Sequence, residues 1–424
     1  MNFKLKAIGL LAIITSLCFS YSKTDVPEGW ASQGGGTTGG QGGSEVTVSS
    51  MSELKSAAGS SGKKIILVKP GTYSGSFSPK SDKSILGTAP GVLIKGSMKI
   101  SSGNIIIRNI AIQDNPCTGN HSACSGGGDA IEIAGSGAKN IWLDHMDVMD
   151  GSDGNCDIKN AADNITITWT KFHYTFKKAH PMSNLIAGSD GETGSRGKLN
   201  ITYAYCWWGE HVRERQPRGR FGKIHVLNNL YTSKRCNYIL GPGVEMQMLI
   251  EHNVFNTSGE EGKNDGEYED ALNDVLYDWG KGKASWKSIG NIGTNPKDKN
   301  TNSGTVFTPP YTIMKMDASE VEAAVRKNSG NVMTLGETSM YDKVITNNVV
   351  VQPHITTTKY GWTLQNPGST ALSFVVVTLQ GKTVLQTTIL EAGKSIQMPT
   401  TALTLVVKFK GANAPEDIIV PITY

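Results

Sequence analysis

Six stretches of this 424-residue chain repeat one phrase, at residues 104–112, 140–148, 164–172, 200–208, 223–231 and 247–255. Each opens on a polar residue followed by an apolar one, alternates apolar and polar, then resumes with a second short apolar run. The phrases start 23 to 36 residues apart. Alternation buries one face of a strand and solvates the other. A recurrence of that length describes coils of a solenoid that differ mainly in their loop insertions. If the phrases are aligned by polarity, Asn109, His145, Thr170, Cys206, Asn229 and Asn253 fall in one column. Side chains stacked at a coil corner can bond to the backbone of successive turns, which is how a parallel β-helix satisfies its bends. The competing architecture is a β-sandwich with irregular Asn-rich turns.

Low charge (18% Asp, Glu, Lys and Arg) and 49 glycines suit a loop-rich, all-β chain of this kind. The length exceeds one typical domain. Residues 52–58 read as a short helix closing the exposed end of the solenoid. Residues 317–327 read as a helix capped by Asp317, with Glu320 at capping-box spacing. The Gly-rich run 29–43 has the composition of a flexible linker. After about Val332 the texture changes. Residues 333–352 are expected to be a linker and 353–424 a small β-sandwich domain, with strands near 371–379 and 402–409 and hairpin turns at 380–382 and 391–394. That domain carries no catalytic constellation, and its role is open among carbohydrate binding, protein binding, secretion and stabilisation.

Residues 1–22 read as a signal peptide, with Lys4 and Lys6 ahead of a short apolar run, so the protein is expected to be secreted. Cys18 follows a poor lipoprotein box, and no later stretch is long and apolar enough to span a membrane. Of the remaining cysteines, Cys117 and Cys124 flank a short loop and are candidates for a disulfide, whereas Cys156, Cys206 and Cys236 are expected to be buried thiols. Zinc-site spacings are absent. A net charge of +4 says little about partners. Neither nucleic acid nor membrane is expected among them, and a monomer is.

Two local clusters carry the chemistry. Residues 213–223 hold Arg213, Arg215, Arg218, Arg220 and Lys223 around Pro217, which stiffens the loop. Arginines on a stiff loop clamp carboxylates bidentately. Upstream, Asp153 and Asp157 lie four apart, so in an extended strand both point to one face; Asp129 precedes them. Hard oxygen ligands suit calcium (Ca2+). A carboxylate nest beside an arginine comb fits an acidic polymer gripped through a divalent cation.

Four segments in order then carry a resemblance: Gly29-Trp-Ala-Ser with its Gly/Thr run, Trp142-Leu-Asp-His145, Asp153-Gly-Asn-Cys-Asp-Ile-Lys159 and Arg215-Gln-Pro-Arg-Gly-Arg220. Over residues 26–332 the chain resembles the pectate lyases of polysaccharide lyase family 1. The resemblance implies a right-handed parallel β-helix that binds calcium and cleaves polygalacturonate by β-elimination, and it implies that the Gly/Thr run after Gly29 is structured despite its linker composition. It implies Asp129, Asp153 and Asp157 as calcium ligands, although Gly127 stands where some members have a further Asp. It implies Arg215 as the base that removes the C5 proton of galacturonate, and Arg220 as a clamp on a substrate carboxylate. Lys177, with Lys178 adjacent, is the expected cleft lysine, followed by an apparent insertion at 179–184. Trp142, Asp144 and His145 are expected to be structural, and one of Trp207 and Trp208 to face outward. The expected activity is that of a secreted, calcium-dependent pectate lyase releasing 4,5-unsaturated oligogalacturonides from α-1,4-polygalacturonate. The alternatives are a pectin lyase acting on methylated pectin and a non-catalytic pectin-binding protein; a hydrolase would need paired catalytic carboxylates.

Overall fold

The computed structural model describes residues 20–114, 128–178, 180–257, 274–278, 283–294 and 300–336, together with the backbone of seven strands between residues 354 and 421. The chain divides into two compact units, Met1–Glu337 and Thr338–Tyr424.

The first unit is a parallel β-helix. A complete coil contributes one strand to each of three sheets, and such parallel connections are right-handed. A long sheet of eleven strands runs from Ser44–Val48 through Ile105–Arg108, Lys139–Asp144, Asp163–Thr168, Asn200–Ala204, Lys223–Leu227 and Gln247–Glu251 to Ser285–Ile289, closing on the antiparallel Asn302–Ser303. A second sheet of eight strands runs from Gly71–Ser74 to Val254–Phe255. The third has seven strands: Met98–Ile100, Ile131–Ala134, Cys156–Lys159, Leu185–Ile186, Arg218–Gly219, Tyr238–Pro242 and Asp274–Leu276. All six repeated phrases form neighbouring strands of the long sheet, so the variable spacing between them is loop length.

Register follows from the alternation. Ile105, Ile141, Ile165, Ile201, Ile224 and Met248 are direct partners on successive strands, and all are fully buried. Burying each such side chain contributes roughly 1.5–3 kcal/mol. An aromatic stack fills the core further along: Phe172, Trp208, Tyr231 and Phe255 lie with ring centroids 5.2, 4.9 and 4.8 Å apart in turn. Offset-stacked rings add stability beyond the area they bury.

The corner differs from the expected single column. Residues Asn109, His145, Trp169, Tyr205, Asn228 and His252 occupy equivalent bends, all with φ between 48° and 60°. Thr170, Cys206, Asn229 and Asn253 belong to the next column. Alignment by polarity merged two adjacent columns, because the bend selects a left-handed backbone and tolerates Trp169 and Tyr205 there, whose rings stack at 4.6 Å. The ladder itself is real in the second column. Asn253 accepts from the Asn229 N–H at 2.8 Å and donates to the Val226 carbonyl at 3.0 Å, while its own N–H donates to Asn291 at 2.8 Å. Replacing Asn253 by Ala strands a buried N–H and a buried carbonyl, so a loss of about 2–3 kcal/mol is expected in denaturant unfolding. A change below ~0.5 kcal/mol, the size of an ordinary surface substitution, would mean the ladder carries no stability.

The solenoid ends and outer faces are covered as the sequence suggests, with one correction. Helix Met51–Gly59 is capped by Ser50 with a full capping box to Glu53, and it buries Leu54, Ala57 and Ala58. Helix Ala318–Asn328 buries Val321 and Val325, but its cap Asp317 accepts from Ser319 N–H instead of forming a box with Glu320. The Gly-rich run, linker-like in composition, is structured, as the resemblance implies. Its backbone N–H groups bond to outward side chains of the long sheet: Trp30 to Thr202, Ala31 to Thr166, Gly39 to Asn104 and Gly40 to Ser84. Trp142 and Asp144 are structural, as expected. The buried Asp144 accepts from Arg108, His145 and Thr168, and Arg108 lies 4.4 Å over both Tyr21 and Trp142.

Cys156, Cys206 and Cys236 are buried and form no disulfide, as expected. Cys117, Cys124, Gly127, residues 1–19 of the expected leader and residues 337–352 of the expected linker lie outside the described residues. Ser20–Tyr21 pairs in parallel with Thr334–Leu335, and Tyr21 is buried. Removing a leader at residue 22 would take this strand with it. The second unit consists of two antiparallel sheets. One orders His354–Thr358, Gly361–Gln365 and Ser395–Pro399; the other orders Thr383–Leu390, Leu372–Thr378, Thr404–Phe409 and Ile418–Pro421.

Candidate active site

The third sheet brings both charged clusters together. Met98, Ile100, Ile131, Ile133, Cys156 and Ile158 point inward and are buried. Alternation therefore turns their neighbours outward. Lys99, Glu132 and Asp157 are direct partners across three strands, and Leu185 and Arg218 continue the row. The coil preceding this sheet continues the stacking: Gly154 pairs with Met182 and Met182 with Glu214.

Asp129 and Asp157 converge. A Cβ placed on Gly154 would lie 3.0 Å from Asp129 Oδ1 and 3.1 Å from Asp157 Oδ1, so glycine is what lets the two carboxylates share this space. Asp157 Oδ1 accepts from the Leu185 N–H at 2.9 Å, whereas buried Asp129 Oδ1 has no partner. Burial, with the neighbouring charge of Asp157, pushes Asp129 up to about 8. Burial raises Asp157 to about 6 against the opposing pull of the Leu185 N–H, Arg215 and Lys159. Lys159 reaches Asp129 at 3.6 Å and Glu132 at 2.9 Å. Asp153 is drawn the other way, to His180 Nε2 at 3.0 Å. Burial works against its charge, but the His180 hydrogen bond and the nearby cations outweigh it, so its carboxyl lies below the usual range. Among the described residues no group of three or more His, Cys, Asp or Glu side chains is gathered closely enough to hold a metal ion.

Arg215 stands beside this pair. Its charge acts on both Asp157 and Asp153. The residue has φ 60°, a conformation that costs a non-glycine residue roughly 1–2 kcal/mol. Neighbouring coils hold it there: Asn184 N–H donates to the Arg215 carbonyl at 2.6 Å, and Gln216 N–H to that of Ile239 at 2.8 Å. The following Gln216–Pro217 peptide is cis. Arg215 Nε is buried with no hydrogen-bond partner, an arrangement that points to a ligand group. Arg220 is buried and already engaged, by Asp190 at 2.6 Å and the Ala187 carbonyl at 2.9 Å.

Of the two candidate lysines, Lys177 is exposed. Lys178 is buried, donates to the carbonyls of Gly151 and Ser152, and lies 5.2 Å over the Tyr174 ring. Burial, only partly offset by Asp114 and Asp153, lowers its ammonium to about 8. It thereby braces the turn that carries Asp153. Sequence reasoning passed over His180, which sits in the apparent insertion; that segment is itself part of the stacked coil through Met182. It also passed over Lys159, whose place beside Asp129 was legible from the strand alternation after Asp157. Trp208 faces inward and Trp207 is half-buried against Lys171 and Arg326 on the second sheet, away from this site.

Comparison with known proteins agrees with this arrangement. The pectate lyase family pattern matches residues 6–333. The chain is 31% identical over 327 residues to a pectate trisaccharide-lyase of Bacillus licheniformis, covering 72% of this chain and 85% of that protein. It is 34% identical over 244 residues to pectate lyase plyB of Emericella nidulans, covering 54% and 68%. Among solved structures, a Bacillus sp. pectate lyase in complex with trigalacturonate superposes with TM-score 0.57 at 25% identity, over 72% of this chain and 99% of that one. The major cedar pollen allergen shares the fold, with TM-score 0.59 at 20% identity over 72% and 93%. With a parallel β-helix, an outward acidic pair and an arginine loop in matching order, the chain belongs to the pectate lyase family and is a polysaccharide lyase.

Proposed function

We propose that the protein is a secreted, calcium-dependent pectate lyase that cleaves α-1,4-polygalacturonate by β-elimination, with Arg215 as the base. One observation carries this: two converging carboxylates, one of them with an orphaned buried oxygen, lie within electrostatic reach of an arginine whose Nε is also orphaned. The donor set fits calcium, which takes hard carboxylate oxygens in flexible geometry. Asp129 and Asp157 would hold it, with Asp153 released from His180 as a third ligand. The bound ion would supply Lewis-acid chemistry that raises the acidity of the carbon beside a substrate carboxylate.

Arg215 takes the C5 proton. The electron pair of the C5–H bond forms the C4–C5 double bond, and the C4–O bond to the leaving sugar breaks, its oxygen taking a proton from water. A guanidinium is normally always protonated, so activity is expected to rise toward alkaline pH. Arg220, oriented by Asp190, and the exposed Lys177 bind substrate carboxylates. Products would carry a 4,5-unsaturated non-reducing end. The leader expected over residues 1–22 would direct secretion. The second unit is inferred to be a separate module; a truncation testing its role should retain Thr334–Leu335, the partner of Ser20–Tyr21.

The acidic pair gives a pH test. Because Asp129 is raised to about 8 and Asp157 to about 6, the folded state holds these protons more tightly than the unfolded chain does. As pH rises past the ordinary carboxylate value, the unfolded state deprotonates first, so the metal-free fold loses stability until the pH passes about 8. In chelator, Tm is expected to fall between about pH 4 and pH 8, and calcium is expected to restore it at the alkaline end. A Tm at alkaline pH that ignores calcium would contradict Asp129 and Asp157 as ligands.

A further inference from the structure

The outward row of the third sheet does not stop at the acidic pair. Two strands before Asp157 it reaches Lys99, and one step further the bridge from Met98 to Phe77 extends the sheet. There the structure holds an open cavity of about 320 Å³ lined by Lys55, Ser76, Phe77, Ser78, Ser97 and Lys99. Lys55 comes from the capping helix, and its Nζ lies over the Gly75 backbone, 3.3 Å from where a Cβ would stand. Lys99 is anchored by Glu132 at 2.5 Å, on the outward face shared with Asp157. Ser76 Oγ accepts from the Ser97 N–H at 2.9 Å and bonds its hydroxyl at 3.0 Å, fixing the two hydroxyls at the rim.

We propose that this cavity is a distal subsite that binds a uronate residue of the polymer through Lys55 and Lys99, with Ser76, Ser78 and Ser97 hydrogen-bonding its hydroxyls. The inference rests on the lyase reading of the main site. Strands stack about 4.8 Å apart, so the cavity lies roughly 14 Å along the sheet from Asp157. A polysaccharide laid along the row spans that distance with a few sugars. The charge order along the row, cationic at Lys99, acidic at Glu132 and Asp157, cationic at Arg218, matches an anionic chain whose carboxylates are gripped directly at the ends and through a cation in the middle.

The test uses the full-length protein with Lys55→Ala/Lys99→Ala, and Lys55→Arg/Lys99→Arg as the charge-conserving control. KM is measured on long polygalacturonate and on trigalacturonate, which is too short to span both sites, and polymer binding is followed separately by affinity electrophoresis. The alanine pair is expected to raise KM on the polymer roughly fivefold to tenfold, the scale of two exposed charge-assisted hydrogen bonds, with kcat and trimer kinetics unchanged. The arginine pair is expected to keep most of the wild-type affinity. Equal effects on polymer and trimer, or none on either, would overturn the subsite while leaving the lyase reading intact. If the wild type forms no unsaturated product but the alanine pair still loses polymer retardation that the arginine pair keeps, the subsite stands and the lyase reading fails.

Discussion

Replacing Arg215 by Ala is expected to lower kcat on polygalacturonate by about 10³-fold or more, near the upper range for removing a general base. Polymer binding should fall only a few-fold, because Lys177, Arg218 and Arg220 remain. The fold should survive. Arg215 is fixed through its backbone, its carbonyl held by Asn184 and the next residue, Gln216, by Ile239, and its Nε bonds to nothing that would be stranded. Arg215→Lys separates charge from base. It keeps a cation near Asp153 and Asp157 but shortens the reach and replaces the planar guanidine. A loss as deep as that of Ala would assign the proton transfer to the guanidine itself. If Ala instead raises KM and leaves kcat intact, Arg215 is a substrate clamp.

The second large effect is expected at Asp157. Asp157→Asn keeps the shape and the acceptor for the Leu185 N–H, so the strand should be undisturbed. It removes one of two converging charges and should weaken calcium binding by about 10²-fold or more, since even outer-shell changes at metal sites cost 10–100-fold. Activity at limiting calcium should vanish. Stability should move the opposite way: relieved of a like charge, Asp129 ionises more readily, and the metal-free variant should be more stable than wild type at alkaline pH. Calcium titration by calorimetry and thermal unfolding in chelator read the two halves. Wild-type calcium affinity in Asp157→Asn would remove this residue from the ligand set.

The coils were legible because the inward Ile column and outward polar column follow the elementary period of a strand. Legibility ended where position depends on backbone conformation or on distant partners. The corner column was misread because a left-handed bend does not require a polar residue, as Trp169 and Tyr205 demonstrate. Composition alone makes the Gly-rich run read as a linker, and only the resemblance marked it as structured, because its partners, Thr166 and Thr202, lie far along the chain. At the site, the i, i+4 spacing of Asp153 and Asp157 suggested a shared face. Yet Asp153 precedes the strand and turns to His180, while Asp129 comes from the neighbouring coil to meet Asp157. The engagement of Arg220 by Asp190 joins residues thirty positions apart, which no local pattern reveals.

The most direct test follows the ultraviolet absorbance of polygalacturonate incubated with the protein, in calcium and in chelator, beside Arg215→Ala. Formation of a conjugated C4–C5 double bond predicts absorbance that rises only when calcium and Arg215 are both present. New reducing ends without that absorbance would mean hydrolysis and contradict β-elimination. Absorbance that persists in chelator would contradict the calcium site at Asp129 and Asp157.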